Sequence, residues 1–469
     1  MPFSGTTIKT QALGILRRTP RLRRAVREMI WRLKRIRYER FIRRIVPEPH
    51  TILFESYGGR SYACSPRALF EALCEDRRFD GWRFIWSFRE PEEKEALLPT
   101  TRAILVRRMS GEYLQACARA TYWITNNRMP EFLHPRPDQT YVQCWHGTPL
   151  KRLGFDVAAD AQAALNTAAE LAGRFAIDAE KWSWLLSPSP YTSEHLTSAF
   201  GRSADRKSLV IEEGYPRNDA IVATLQLPAP LQSPVAVQSI VTAQSSASSQ
   251  LPAPSQLPVP SQLPTDTPSP ATREAIETIK RHLGVPLDKK VVLYAPTWRD
   301  DSYQAGVGYT QDALLDFEVL QRSLGADWVI LLRAHYYIAN RLNIDQWQGF
   351  VYDMSRIEDV NDLYIISDAL LTDYSSVLFD FANTSRPLLF YWPDLDHYGE
   401  KVRGFYFDPE TLPGPQCRTS EEVASALGDI DGWHLRYGSA YEDFKQTFCP
   451  KDDGNATKRV IERLFKGRF

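Results

Sequence analysis

Short apolar runs recur from residue 51 onward, each bounded by turn formers and followed by apolar residues at helical spacing. Thr51-Ile52-Leu53-Phe54-Glu55 is the first, closed by the turn Ser56-Tyr57-Gly58-Gly59-Arg60, and Pro66 to Cys74 then carries a helical pattern. Trp82–Phe88, Ala103–Val106, Tyr122–Thr125 and Tyr141–Trp145 repeat the strand pattern, with a helical Tyr113–Ala120 between them. Runs this short suit buried strands, and their alternation with helices predicts a parallel sheet with crossover helices. The first α/β unit is read over 51–220 and ends at Gly214-Tyr215-Pro216-Arg217-Asn218-Asp219. A second is read over 272–469. It has helix Arg273 to Leu283, strands Val291–Tyr294, Trp328–Leu332 and Phe350–Tyr352, and helix Val360–Ile366. Strand Ala369–Thr372 follows, running into Asp373-Tyr374-Ser375-Ser376 and then Val377, Leu378 and Phe381 at helical spacing. The last part, Tyr441–Phe469, reads as helix able to return to the first unit.

Two stretches break this pattern. Between Asp219 and Arg273 the one charge is Asp266, and SQLP begins at Ser249, Ser255 and Ser261. Such a composition buries too little apolar surface to fold, so 221–271 is expected to be a disordered linker. At the other end, Lys9 to Arg44 holds fourteen Lys and Arg against Glu28 and Glu39, while the whole chain has 57 of each sign and is formally neutral. Within this arm, residues 1–50, the residues Leu22, Val26, Met29, Ile30, Leu33, Ile36 and Ile42 give an apolar stripe among arginines. A basic amphipathic helix of this kind suits an anionic membrane surface. A helix packed on the body and a nucleic-acid arm are the alternatives; nucleic acid is not expected as a partner. No run of about 18 apolar residues is present, so no membrane span is expected, and no secretory signal is read at the start. The six cysteines show no CxxC pair and no metal spacing, and are expected to be reduced thiols of a cytosolic protein.

The strand ends carry the candidate chemistry. Tyr141–Trp145 delivers His146-Gly147-Thr148 at a carboxyl end, where open α/β sheets bind ligands. His146 has a reference pKa near neutrality and suits a general base, or is a loop histidine with a backbone hydrogen bond. Gly147 lets the backbone turn or approach a ligand. Arg333 and His335 alternate with Ala334, so both point to one side of an extended backbone, where a cationic pair suits a diphosphate. The alternative is an Arg–carboxylate bridge beside a packed histidine. Asp373, Ser375 and Ser376 open a helix, whose first turn either binds phosphate or is simply capped. Neither GxxxxGK[ST] nor GxGxxG occurs. Asp394 and Asp396 form a DxD beside Pro393 that reads as solvated rather than metal-binding, so no metal site is assigned.

The stretches FESYGGR (54–60), WITNNRMP (123–130), CWHGTPLKRLG (144–154), EGYPRND (213–219), YAPTWRD (294–300), LLRAHYY (331–337), DVNDLYIISDALLTDYSSVLFDFA (359–382), RPLLFYWPDLDHY (386–398) and RGFYFD (403–408) resemble, in the same order, the CDP-glycerol glycerophosphotransferase family of teichoic acid synthesis. The linker and much of the basic arm depart from the family pattern. The resemblance implies a GT-B-like architecture, two Rossmann-like domains facing a cleft. It also implies the reaction: a hydroxyl of a lipid-linked polymer acceptor attacks the phosphorus bearing the glycerol of CDP-glycerol, and CMP leaves. His146 then matches the histidine that serves as general base. His335 and Arg333 fall on the diphosphate, and Ser375 and Ser376, with Asp373 beside them, at the phosphate-holding helix start. Arg403 is a further charge-neutralising residue, and Gly147 and Thr148 count with the substrate-binding residues. No cofactor is implied, and a role for Mg²⁺ is left open. Donor groups on one domain and the base on the other imply that the domains close for catalysis. CDP-ribitol as donor and a GT-B sugar transferase are the alternatives. The enzyme is expected at the cytoplasmic face of the membrane, peripherally bound.

Overall fold

The computed structural model describes residues 20–98, 102–157, 168–201, 209–226, 268–297, 303–304, 308–309, 315–334, 344–395 and 404–468. The start of the basic arm, most of the low-complexity stretch, His335, Asp396 and Arg403 lie outside the described residues.

Seven strands form the first sheet: β1 (Glu48–Glu55), β2 (Arg83–Phe88), β3 (Ala103–Arg107), β4 (Ala120–Thr125), β5 (Thr140–Gln143), β6 (Trp184–Ser187) and β7 (Val210–Glu212). Their order is β3-β2-β1-β4-β5-β6-β7, parallel throughout. The second half has β8 (Lys290–Ala295), a two-residue hairpin of β9 (Tyr303–Gln304) and β10 (Gly308–Tyr309), then β11 (Trp328–Leu332), β12 (Val351–Asp353), β13 (Ala369–Thr372), β14 (Leu388–Tyr391) and β15 (Gln416–Cys417). Its main sheet runs β12-β11-β8-β13-β14-β15, again parallel. Central strands such as β11 and β13 are buried along their whole length, which is why they read as unbroken apolar runs rather than alternating ones. In each sheet the strand order reverses beside its first strand, between β1 and β4 and between β8 and β13. Such switch points open a crevice at the carboxyl ends.

The ends of the chain tie onto the first half. Helix Pro20–Ile42 buries Tyr38 and Ile42 in the first core, and Trp31 stacks on Phe132 with ring centroids 5.8 Å apart. Helix Trp433–Phe448 packs on the second half through Tyr441 and Phe444. Helix Ala456–Leu464, within the stretch expected to return to the first unit, places Val460, Ile461, Leu464 and then Phe465 in the first core against Phe79, Trp82 and Tyr122.

The two halves are joined by buried polar contacts. Arg217 donates to Asp380 through Nη2 (2.8 Å) and Nε (3.2 Å), Asn361 donates to the Arg217 carbonyl (2.6 Å), and Asp452 accepts from Tyr215 N–H (2.7 Å) and Asn218 Nδ2 (2.6 Å). A backbone bridge pairs Lys151 with Phe405, and Arg152 N–H donates to the Gly404 carbonyl (3.1 Å). All six cysteines are free thiols.

Candidate active site

Three neighbouring strand ends of the first sheet converge on His146. After β1 the chain turns through Tyr57, Gly58 and Gly59, with φ of 48°, 66° and 76°. A Cβ at Gly59 would lie a tight 3.1 Å from Arg89 N, and at φ of 76° a side chain there would be strained. Tyr57 N–H donates to Asn126 Oδ1 (2.7 Å), tying this turn to the end of β4. After β5, Cys144 N–H donates to the Thr125 carbonyl (2.7 Å), and Trp145 N–H to Gln143 Oε1 (2.9 Å). Trp145 has φ of 51°, a left-handed conformation that costs a non-glycine residue of order 1–3 kcal/mol. Its ring is held by Phe200 (4.8 Å) and Phe175 (6.1 Å), and the turn it makes presents His146 to the crevice.

The His146 ring is oriented by one strong contact: Nδ1 lies 2.7 Å from the Asn126 carbonyl oxygen. A carbonyl only accepts, so Nδ1 carries the proton and Nε2 keeps its lone pair. Burial is the first cause that pushes the His146 pKa down to about 4, opposed by the Asn126 contact and reinforced by the charges of Arg217, Arg128 and Arg60. The imidazole is therefore neutral at neutral pH, with an unprotonated Nε2 available to accept a proton. Thr148 is buried two residues on, its hydroxyl 3.5 Å from that of Thr192, and so faces the core of the first half.

The second sheet brings its own switch-point loops to the same place. Asp373 is buried, and its carboxylate accepts from Thr297 N–H (2.8 Å) and Tyr374 N–H (2.6 Å), which ties the loops after β8 and β13 together. The helix-start reading of Asp373 needs correction. The helix begins only at Val377, spans Val377–Phe381, and has Ser376 as its first flanking residue with no side-chain cap bond. Asp373 has two nearer donors and is spent on the loop. Ser375 Oγ is 3.5 Å from Val377 N, and Asp394, the first acid of the DxD, accepts from the Tyr374 hydroxyl (3.1 Å). Among the described residues no group of three or more His, Cys, Asp or Glu side chains is arranged to hold a metal ion. Arg333 Nη1 donates to the Met354 (3.1 Å) and Ile357 (3.0 Å) carbonyls; no described carboxylate bridges it. The halves meet at the site itself, because a Cβ on Gly147 would lie 2.5 Å from Ser376 Oγ.

A family model described as CDP-Glycerol:Poly(glycerophosphate) glycerophosphotransferase matches residues 37–227 and 264–466. The chain belongs to this family. Among its relatives in the glycerophosphotransferase family, the teichoic acid glycerol-phosphate transferase of Staphylococcus aureus is 37% identical over 422 residues, covering 90% of this chain and 94% of that protein. The teichoic acid poly(glycerol phosphate) polymerase of Bacillus subtilis is 35% identical over 89% of this chain but 48% of its own length. The chain thus spans about half the length of that relative and of the Staphylococcus epidermidis polymerase. A structure of a variant of the wall teichoic acid polymerase TagF soaked with CDPG superposes with a TM-score of 0.75 at 32% identity, covering 99% of this chain and 98% of that one. The ribitol-phosphate polymerase of Bacillus spizizenii aligns over 38% of this chain. The fold is the GT-B-like one of TagF.

Of the residues singled out from sequence, the structure brings His146, Gly147, Ser375 and Ser376 to one seam and gives Asp373 and Thr148 internal partners. Sequence reasoning passed over Asn126, Arg128 and Arg217. All three lie in quoted motifs, WITNNRMP and EGYPRND, but only the fold shows that these loops flank His146.

Proposed function

We propose that this glycerophosphotransferase-family protein transfers glycerol phosphate from CDP-glycerol to a hydroxyl of a lipid-linked, teichoic-acid-type polymer, releasing CMP. The observation that carries the reading is a neutral His146, with Nε2 unprotonated, at a seam where Ser376 of the other half is within contact. The acceptor O–H proton goes to Nε2 as the oxygen bonds to the phosphorus bearing glycerol. The bond from that phosphorus to the CMP oxygen breaks, and its electron pair leaves with CMP. Phosphoryl transfer depends on positioning and on spreading negative charge. Arg333, Ser375 and Ser376, with His335 and Arg403, are the residues assigned to the donor phosphates. Supplying CDP-glycerol and CDP-ribitol together and weighing the products tests the donor. Added masses of glycerol phosphate are expected, and ribitol phosphate as the main addition would overturn the assignment.

The reading extends to a peripheral site at the cytoplasmic face of the membrane. Its support is helix Pro20–Ile42, which turns Tyr38 and Ile42 inward yet leaves Met29, Ile30, Leu33 and Ile36 exposed among Arg32, Lys34, Arg35 and Arg37. Exposed apolar residues flanked by cations suit an anionic interface. No helix among the described residues is long and apolar enough to cross a membrane.

A further inference from the structure

The turn that orients His146 also carries a cation that forms no ion pair among the described residues. Arg128 follows Asn126 and Asn127 at the end of β4, and its N–H donates to Asn127 Oδ1 (2.8 Å). Its side chain is half-buried, with the guanidinium carbon 4.5 Å from the Phe175 ring centroid. Phe175 packs on Trp145, whose ring is 4.5 Å from that of His146. The charges on either side leave Arg128 in excess. Glu131 is taken by Arg174 (3.0 Å), and Asp178 by Lys181 (3.5 Å), Trp182 Nε1 (2.9 Å) and the Tyr141 hydroxyl (3.1 Å). Among the described residues, the three cations Arg128, Arg174 and Lys181 thus neighbour two carboxylates, Glu131 and Asp178, each already in an ion pair, though Asp178 Oδ1 has no hydrogen-bond partner. Burial lowers the Arg128 pKa and the charge of Arg174 adds to that, while Asp178 and Glu131 oppose it only in part. Beside it, Asn126 is fully buried, accepts from Tyr57 N–H at Oδ1 and from His146 Nδ1 at its backbone carbonyl, and has no acceptor for Nδ2 among the described residues. An uncompensated, partly desolvated guanidinium is a strong site for a tetrahedral oxyanion, which it grips through two parallel N–H bonds.

We propose that Arg128, on the acceptor side of the seam, binds a phosphodiester of the acceptor, the one a single glycerol unit back from the hydroxyl that His146 deprotonates. This rests on the glycerol-phosphate reading above. The donor diphosphate is assigned to the opposite half, so an anion at Arg128 belongs to the second substrate. Arg128 then favours an acceptor that already ends in a glycerol phosphate unit over a neutral primer. It acts at the binding step, before any bond is made.

The test uses the full chain with two lipid-linked acceptors that differ only in whether the terminal unit carries a phosphate. Arg128→Gln is expected to narrow the KM ratio between them by about ten- to hundredfold, the scale of a lost charge-assisted contact, with R128K restoring part of it. In wild type, titration calorimetry with sn-glycerol 3-phosphate should show binding that R128Q weakens by a similar factor, while the Kd for CDP-glycerol moves less than twofold. An R128Q protein that loses kcat equally with both acceptors would make Arg128 a packing residue for the Phe175 ring and overturn the proposal. So would glycerol 3-phosphate binding that R128Q leaves intact, or a large change in CDP-glycerol affinity. If R128Q does not fold, the R128K ratio and the wild-type titration decide. Absence of CMP release with every acceptor would instead sink the glycerol-phosphate reading, and the calorimetry would still report on the subsite.

Discussion

At the scale of the residue, the proposed chemistry depends on which nitrogen of His146 holds its proton. The Asn126 carbonyl fixes Nδ1–H, and burial with nearby arginines keeps the ring neutral. The sign follows directly. Protonation removes the base, and the pKa lies near 4 rather than 6.5, so activity is lost only as pH falls toward 4. The acid limb of kcat/KM, which reports the free enzyme, should stand well below that of an ordinary histidine, with little change between pH 6 and 8. A limb at 6 to 7 would contradict this environment. The depressed value also means that the folded chain binds fewer protons than the unfolded one between pH 6.5 and 4, so stability contributed by His146 falls over that window.

At the scale of the element, what matters is how strand ends meet. The loop after β5 touches the loop after β13 through Gly147 and Ser376, and Gly147 has no room for a methyl group: Ser376 Oγ would be 2.5 Å and its Cβ 3.0 Å away. Gly147→Ala must shift Ser376. Since displacements of about 1 Å at a reacting centre cost up to about 10²-fold, turnover should fall about 10–100-fold in a folded protein; unchanged kcat would show that Ser376 position is immaterial. Helix Pro20–Ile42 poses a different question. One face is committed to the body through Trp31, Tyr38 and Ile42, so replacing the exposed Met29, Leu33 and Ile36 with Gln should leave folding intact. The same change should release the protein from anionic vesicles, most visibly at high salt, where charge attraction is screened. Equal sedimentation of variant and wild type would make this helix a structural strap only.

For the whole molecule, the two halves are not independent. Arg217 and Asp380 form a buried ion pair between them, and removing one partner of such a pair costs about 3–5 kcal/mol because the other charge stays buried alone. Arg217→Met should lower stability by that amount in denaturant titration, and Arg217→Met with Asp380→Leu should recover part of it; a loss under 1 kcal/mol in the single variant would show that the halves hold together without the pair. The parallel sheets were legible from sequence because both-face burial writes short apolar runs, as in Trp328–Leu332 and Ala369–Thr372, whose bounds agree with β11 and β13. Short strands such as β6 and β7 carry too few residues to stand out. His146 was singled out because a strand end and a motif coincide there. Asp373 was placed at a helix start because its competing donor, Thr297 N–H, comes from 76 residues away. Arg128 and Asn126 were silent for the same reason: their meaning lies in a neighbouring strand end. The role proposed for His146 at this seam is checked by rapid-quench measurement of CMP release from CDP-glycerol, with product masses, for wild type and His146→Ala. Additions of glycerol phosphate are expected, at a rate that falls about 10²–10⁴-fold in the variant, the scale of a lost general base, with CDP-glycerol affinity retained; near-wild-type CMP release from a folded His146→Ala protein would rule that role out.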